Sequence, residues 1–409
     1  NDRTTFDDKA TCAVRYVGAP SGGNVRSVAL DPKDVNRLYI STLDGQIYTS
    51  ANAGKSWVML VNLNEPQLII DNLLVDRSDS NRIYASGNRG NDAGGFFYST
   101  DAGKNWKESK QLRDQSIHTL TQAPEDAKML FVGTRVGIWQ SLDSGESWDR
   151  LESGSVPIDV NSMAVDPKNI NTIYAGTTWR PYKSTDAGKS WRLIKTGMID
   201  DSDVFAISIN QSEPSNMFAS ACSGIYHSTN GGENWRKIQG IPSTSRRTRD
   251  ILINPVDPTK VYAGTTEGFW MSSNGGKTFI MTSQRNLEIN SIAVHPDLPN
   301  RIFIGTNNYG MMVSNDGGRN WAQTNGNFTS RFTYSVTADL SQPDRLYATT
   351  KNTASSGGFV FYSSNRGATW THAKGLDVHR HSAFAVLQDR VAQNKIYLNK
   401  AHFMRDISI

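Results

Sequence analysis

Cysteine is almost missing: Cys12 and Cys222 are the only two in 409 residues. That excludes a disulfide-stapled scaffold, and the two fall in distant repeats, so they read as small buried hydrophobes rather than a pair. No stretch approaches the roughly 18 consecutive apolar residues of a membrane-spanning helix. There is no low-complexity run and no long Pro/Gly/Ser linker, so with charged residues at 20% a disordered chain is not expected. Charge of one sign is also scarce. The formal net charge is only +4, and the loops that could face a ligand offer few aromatics beyond Trp179 and Tyr309. Nucleic acid binders need basic tracks with stacking aromatics, so no nucleic acid partner is expected. The chain begins with Asn rather than Met and shows no charged-then-apolar leader, as a processed chain would.

What is abundant is one octet, Ser-x-(Asp/Asn)-x-Gly-x-(Ser/Thr/Asn)-(Trp/Phe), present eight times. The copies are Ser50–Trp57, Ser99–Trp106, Ser141–Trp148, Ser184–Trp191, Ser228–Trp235, Ser272–Phe279, Ser314–Trp321 and Ser363–Trp370. Their final aromatics recur every 42 to 49 residues, a period that accommodates four short strands and marks a β-propeller. In each octet the Gly can take the positive φ of a tight hairpin. The acidic or amide side chain, as at Asp101, Asp143, Asp186 and Asp316, can accept backbone N–H bonds and close the turn. The aromatic, as at Trp106, Trp148, Trp191 and Trp321, can wedge between neighbouring blades. These residues are read as structural, with no catalytic role.

The octet is the Asp-box, or BNR repeat, and the chain resembles Asp-box propellers along essentially its whole length. Relatives of that kind include sialidases, xyloglucan-type glycosidases, the luminal domains of sortilin-like receptors and photosystem II assembly factors. The resemblance implies that the boxes lie away from the ligand site. It also implies an extracytoplasmic, periplasmic or secreted, location.

The predicted fold is all-β: a single closed β-propeller over 1–409, with repeats ending near 62, 111, 153, 196, 240, 283, 325 and 375. A ninth repeat, 376–409, has strand-like segments at Ser382–Leu387, Lys395–Asn399 and Phe403–Ile407 but no box. Cys12–Gly18, with residues 10–19, has the alternation of the missing fourth strand, so nine blades are expected, the last shared by both termini. An eight-bladed ring with an appendage, or a piece of a longer chain, is the alternative.

In this register the box turns and the Asp-Pro-type turns share one face, and the second-to-third-strand loops share the other with the connections between blades. That second face is rich in arginine: Arg89, Arg135, Arg180, Arg331 and, most densely, Arg246, Arg247 and Arg249. Guanidinium groups recognise carboxylate, phosphate or sulfate bidentately. With Trp179 and Tyr309 they form the candidate partner-binding set. The leading expectation is a non-catalytic scaffold that binds a protein or polyanionic partner, needs no cofactor, and is not integral to a membrane although it could dock on a membrane complex. The alternative is a carbohydrate-active enzyme of sialidase or xyloglucanase type, or a lectin. It would use acidic residues of the same face (Asp114, Asp200, Asp201, Asp203, Asp250, Glu267, Glu288), since glycosidases need two placed carboxylates. The Phe/Tyr-Arg-x-Pro segment of sialidases is absent. His379, His381 and His402 are weak metal-ligand candidates, read as chance loop histidines, so no metal is assigned.

Overall fold

The computed structural model describes residues 21–63, 67–90, 93–152, 157–199, 203–245, 248–285, 287–307, 309–327, 329–351, 359–373, 383–389, 391–392, 395–400 and 404–408. The chain is all-β apart from one 3₁₀ turn, Ser243–Ser245, among these residues. Eight four-stranded antiparallel sheets and one three-stranded sheet follow in chain order, each strand paired with its neighbours in sequence. We number the sheets one to nine.

The boxes fold as their chemistry dictates. In all eight, the serine hydroxyl accepts the glycine N–H at 2.8–2.9 Å. The acidic or amide Oδ1 accepts the N–H of the seventh residue, as Asp186 does from Ser190 at 2.9 Å. The fourth-residue N–H docks on a carbonyl of the turn between the first and second strands, for instance Ala53 on Asn36 at 2.8 Å and Gly275 on Thr259 at 2.7 Å. That docking puts both turns at one end of each sheet. It requires two successive left-handed residues: the box glycines have φ of 78–91° and Ala53, Ala102, Ser144, Ala187 and Arg366 precede five of them at φ of 57–63°.

Between sheets the box aromatics wedge as expected. Trp148 meets Phe96 of the preceding sheet edge-on at 4.8 Å, and Trp321 meets Phe269 at 4.7 Å. Trp57, Trp148, Trp191, Trp235 and Phe279 are buried, while Trp106 and Trp321 are half-buried.

The repeat pattern predicted one domain; the packing divides the chain into two compact units, Ser21–Arg331 and one that includes Phe332–Ile409. Sheets one to seven belong to the first. Their first strands are Val28–Asp31, Ile69–Val75, Ile117–Gln122, Val160–Asp166, Val204–Ile209, Asp250–Ile253 and Ile289–Val294. Each packs on the next, and the seventh packs back on the first. One buried cluster joins Val25, Leu38, Ile40, Tyr48 and Trp57 of sheet one and its approach to Ala293, Phe303 and Met311 of sheet seven. Hydrogen bonds cross the same junction: Trp57 Nε1 donates to Thr324 O at 2.8 Å, Trp57 N to Gly326 O at 2.8 Å, and Val25 N to Thr306 O at 2.8 Å. Gly22–Gly23 also pairs in parallel with Thr329–Ser330.

The propeller fold is therefore as read, but the ring closes within Ser21–Arg331 at seven sheets rather than nine. The cause is this latch, whose partners stand far apart in sequence. Cys12–Gly18, expected to complete a ninth blade, lies outside the described residues.

The second unit contains sheet eight (Phe332–Ala338, Leu346–Lys351, Phe359–Ser363, Thr371–His372) and the three-stranded sheet nine (Ala383–Gln388, Lys395–Lys400, Met404–Ser408). Tyr347, Val360, Ala373, Val386, Ile396 and Leu398 form its core.

Two outcomes follow. Trp57→Ala removes an indole that is 1% exposed and a latch hydrogen bond. It should destabilise the first unit by about 3–5 kcal/mol, while Trp179→Ala, at a 62% exposed site, should stay within about 0.5 kcal/mol; guanidinium melts compare them. The second concerns acid. Bonds donated by Asn105 and Ser190 hold the Asp101 and Asp186 carboxyls down to about 2. A depressed carboxyl contributes stability that is complete above its unfolded value near 3.9 and is lost as pH falls through about 2. Four boxes carry Asn at this position (Asn52, Asn230, Asn274, Asn365), so Asp186→Asn should fold normally and show a shallower loss of melting temperature between pH 4 and 2. An unchanged slope would remove the carboxylate from that account.

Candidate functional site

The first strand of each of sheets two to seven, with the residues just before the first strand of sheet one, lines an axial channel in Ser21–Arg331 with a cavity of about 600 Å³. Two stacked rings of side chains form its wall. One is Arg26, Asp71, His118, Asn161, Phe205, Arg249 and Asn290; the next, one residue further along each strand, is Ser27, Asn72, Thr119, Ser162, Ala206, Asp250 and Ser291. Met163 and Ile207 begin an apolar layer beyond them. Equivalent positions meet because the sheets repeat around an axis, so one register position in the sequence becomes one ring in space.

Charges in the first ring are paired. Arg26 Nε donates to Asp71 Oδ1 at 2.9 Å, with a second bond from its Nη2, and Asn88 donates to Asp71 Oδ2. Arg249 Nη2 donates to Glu288 at 2.6 Å and its Nη1 to Asn290 Oδ1 at 2.7 Å. Burial holds His118 below its ordinary value, so the imidazole is neutral at pH 7. Asp250 differs. Its Oδ2 accepts the Ile292 N–H at 2.7 Å. The carboxyl borders the channel and keeps some solvent contact, yet the protein packed around it makes desolvation dominate and pushes it up to about 6.

The other residues singled out by sequence are more scattered. Arg246 and Arg247 lie outside the described residues, as do Asp200, Asp201, His379, His381 and His402. Arg135 stands 3.9 Å from Asp159. Arg331 donates from Nε to Ser21 O at 3.0 Å, and burial lowers its guanidinium to about 10. Arg89 and Arg180 occupy the second-to-third-strand turns of sheets two and four. Glu267 accepts from Thr244 Oγ1 at 3.1 Å and lies 4.0 Å from Arg285. Burial raises the Tyr309 hydroxyl. Trp179 projects from the Thr177–Arg180 turn, largely exposed. Cys222, expected to be buried, is half-buried in a second cavity of about 450 Å³ that includes Ile225 and Ile238. Arg89 and Arg180 thus lie at the expected end of their sheets, while Arg26, Arg135 and Arg249 each face a carboxylate.

The channel ring was missed from sequence, although a signal for it exists. Arg26, Asp71, Asn161, Phe205, Arg249 and Asn290 each stand five residues before the turn residue Asp31, Asp76, Asp166, Asn210, Asn254 or His295.

Comparison with known proteins gives the family. The model described as "Sortilin, neurotensin receptor 3" matches residues 94–198 and 267–405, more than half of the chain. The chain belongs to the Sortilin-Vps10 family. It is also similar to xyloglucanase Xgh74A of Acetivibrio thermocellus, 26% identical over 151 residues, a match covering 32% of this chain and 18% of that enzyme. The chain therefore matches under a fifth of the length of this curated relative. Among solved structures, the GH74 xyloglucanase of Xanthomonas campestris aligns with 96% of this chain and 73% of its own, at TM-score 0.69 and 16% identity. A GH74 enzyme of Niastella koreensis aligns at TM-score 0.66 and 16% identity, with coverage of 96% and 72%. YCF48 bound to D1 peptide aligns at TM-score 0.53 and 15% identity, covering 73% of this chain and 93% of its own. Those likenesses establish the propeller fold.

The non-catalytic scaffold expectation is corrected here, because the matched sequence relative is a xyloglucanase and enzymes of that kind also stand among the structural neighbours. No helix among the described residues is long and apolar enough to cross a membrane.

Because the folded state holds the Asp250 proton more tightly than the unfolded chain, its contribution is lost as pH rises from about 4 through about 6. Asp250→Asn should therefore melt higher than wild type above pH 6 and lose that step. Superimposable melting profiles from pH 4 to 8 would show that the carboxyl is not desolvated.

Proposed function

We propose that this protein is a carbohydrate-active propeller that takes a xyloglucan-like polysaccharide and works outside the cytoplasm, where such polymers are met. The observation that carries this reading is the 151-residue similarity to a xyloglucanase. Local chemistry supports it. Trp179 offers a broad apolar face at a loop tip, 62% exposed, on the end of the sheets opposite the boxes, and an aromatic there can stack against a sugar ring. Asp159, Glu267 and Glu288 supply carboxylates at the same end, as hydrogen-bond acceptors for hydroxyls.

A second reading, retention of the polymer without cleavage, is favoured by one specific feature. Asp159 and Glu288 lie beside arginines and Glu267 is bonded by Thr244. Among these and Asp250, Asp250 alone is held as an acid, whereas a glycosidase needs one carboxyl poised as an acid and a second as base or nucleophile.

Affinity electrophoresis through xyloglucan, run beside a reducing-end assay, tests both readings. The chain should be retarded, and Trp179→Ala should weaken retention about fivefold, the equivalent of about 1 kcal/mol. Reducing ends that accumulate establish hydrolysis; retardation without them establishes the binding reading. Migration unaffected by xyloglucan and by other β-glucans would refute the proposal.

A further inference from the structure

We propose that the axial channel of Ser21–Arg331 is a separate binding site for one small neutral polyhydroxylated ring, of monosaccharide size. A cavity of about 600 Å³ lies within the usual range for small-molecule sites, roughly 300–1,000 Å³. Its wall combines an aromatic, Phe205, half-buried in an otherwise polar ring, with planar amides at Asn72 and Asn161 and the carboxyl of Asp250; the Asn290 amide is taken up by Arg249, Val25 and Asn307. An apolar platform beside planar donors and acceptors suits a ligand with one apolar ring face and an edge of hydroxyls.

Charge counts against an anion. Both guanidinium groups of the channel, Arg26 and Arg249, are already held by Asp71 and Glu288. An anion would have to displace a carboxylate from one of them. A cation would be drawn to Asp250, and amine controls test that class. No group of three His, Cys, Asp or Glu side chains among the described residues could hold a metal ion.

Bonding capacity is left over inside the channel. The Asp250 carboxyl accepts from the backbone N–H of Ile292 and Ile251, which leaves lone pairs for ligand hydroxyls. None of the groups proposed to touch this ligand, Phe205, Asn72, Asn161 and Asp250, belongs to the polysaccharide reading, and the inference stands independently of it.

The test is calorimetry and saturation-transfer NMR on the full chain with D-glucose, D-xylose and D-galactose, and with D-glucosamine and methylamine as cationic controls. At least one neutral sugar should bind with a dissociation constant of about 1 mM. Phe205→Ala and Asn72→Ala should each weaken it about fivefold or more. Asp250→Asn, which keeps an acceptor for the Ile292 N–H and so preserves the fold, should weaken it too, with an unchanged circular dichroism spectrum. Binding of the amines alone overturns the proposal. So does sugar binding indifferent to all three substitutions, since the ligand would then sit elsewhere. A chain that is retarded by xyloglucan yet ignores the free sugars overturns this inference and leaves the polysaccharide reading standing.

Discussion

The junction between sheets one and seven is the constraint on which the rest of Ser21–Arg331 depends. A four-stranded sheet with two packing faces cannot bury both alone, and a row of such sheets leaves one face bare at each end. Here the two end faces bury each other, with Phe303 and Met311 packed against Leu38, Ile40 and Trp57. The apolar contact supplies the area, while the Trp57 indole bond to Thr324 and the parallel pairing of Gly22–Gly23 with Thr329–Ser330 fix the register. Register matters because the channel rings exist only if equivalent residues of all seven sheets come to one level. A slip at the junction would separate Arg249 and Asn290 from Arg26 and Asp71.

The boxes and the channel are opposite products of one repeat. At the box end every position repeats, because each turn must solve the same local problem with the same serine, acceptor and glycine. At the channel the register position repeats but the residue does not: Arg, Asp, His, Asn, Phe, Arg and Asn follow in turn. Packing needs only a side chain that tolerates a crowded polar axis, so identity there is open to chemistry, and the two ion pairs neutralise what would otherwise be a costly assembly of buried charge.

Much of this was legible in the residues, for a physical reason. The box hydrogen bonds span four positions, Ser50 to Gly54 for example, so the octet contains its own turn. Eight sheets could be located from it, and the boxless ninth, Ala383–Gln388, Lys395–Lys400 and Met404–Ser408, from the strand-like segments that follow the last box. Ring size was not legible, because Trp57 and Thr324 stand 267 residues apart and nothing in the repeat distinguishes a sheet that closes a ring from one that continues a row. Arg89 and Arg180 could be assigned to turns between second and third strands. The partners of Arg249 and Arg26 could not, since Glu288 and Asp71 reach them from adjacent sheets. Asp250 looked like one acid among several until the packing around it was known.

The most direct measurement is native-state hydrogen exchange at the seven-to-one junction. If the latch closes the ring, the Trp57 backbone and indole N–H groups and the Val25 amide, bonded to Gly326, Thr324 and Thr306, exchange as slowly as the Trp235 indole, which donates to Ile194 O at 2.8 Å between sheets four and five. Equal protection is the result expected from a closed circuit that opens only globally. Exchange at Trp57 and Val25 faster by about a hundredfold or more, equivalent to about 2.7 kcal/mol of local opening, would show that the seven sheets form an open row.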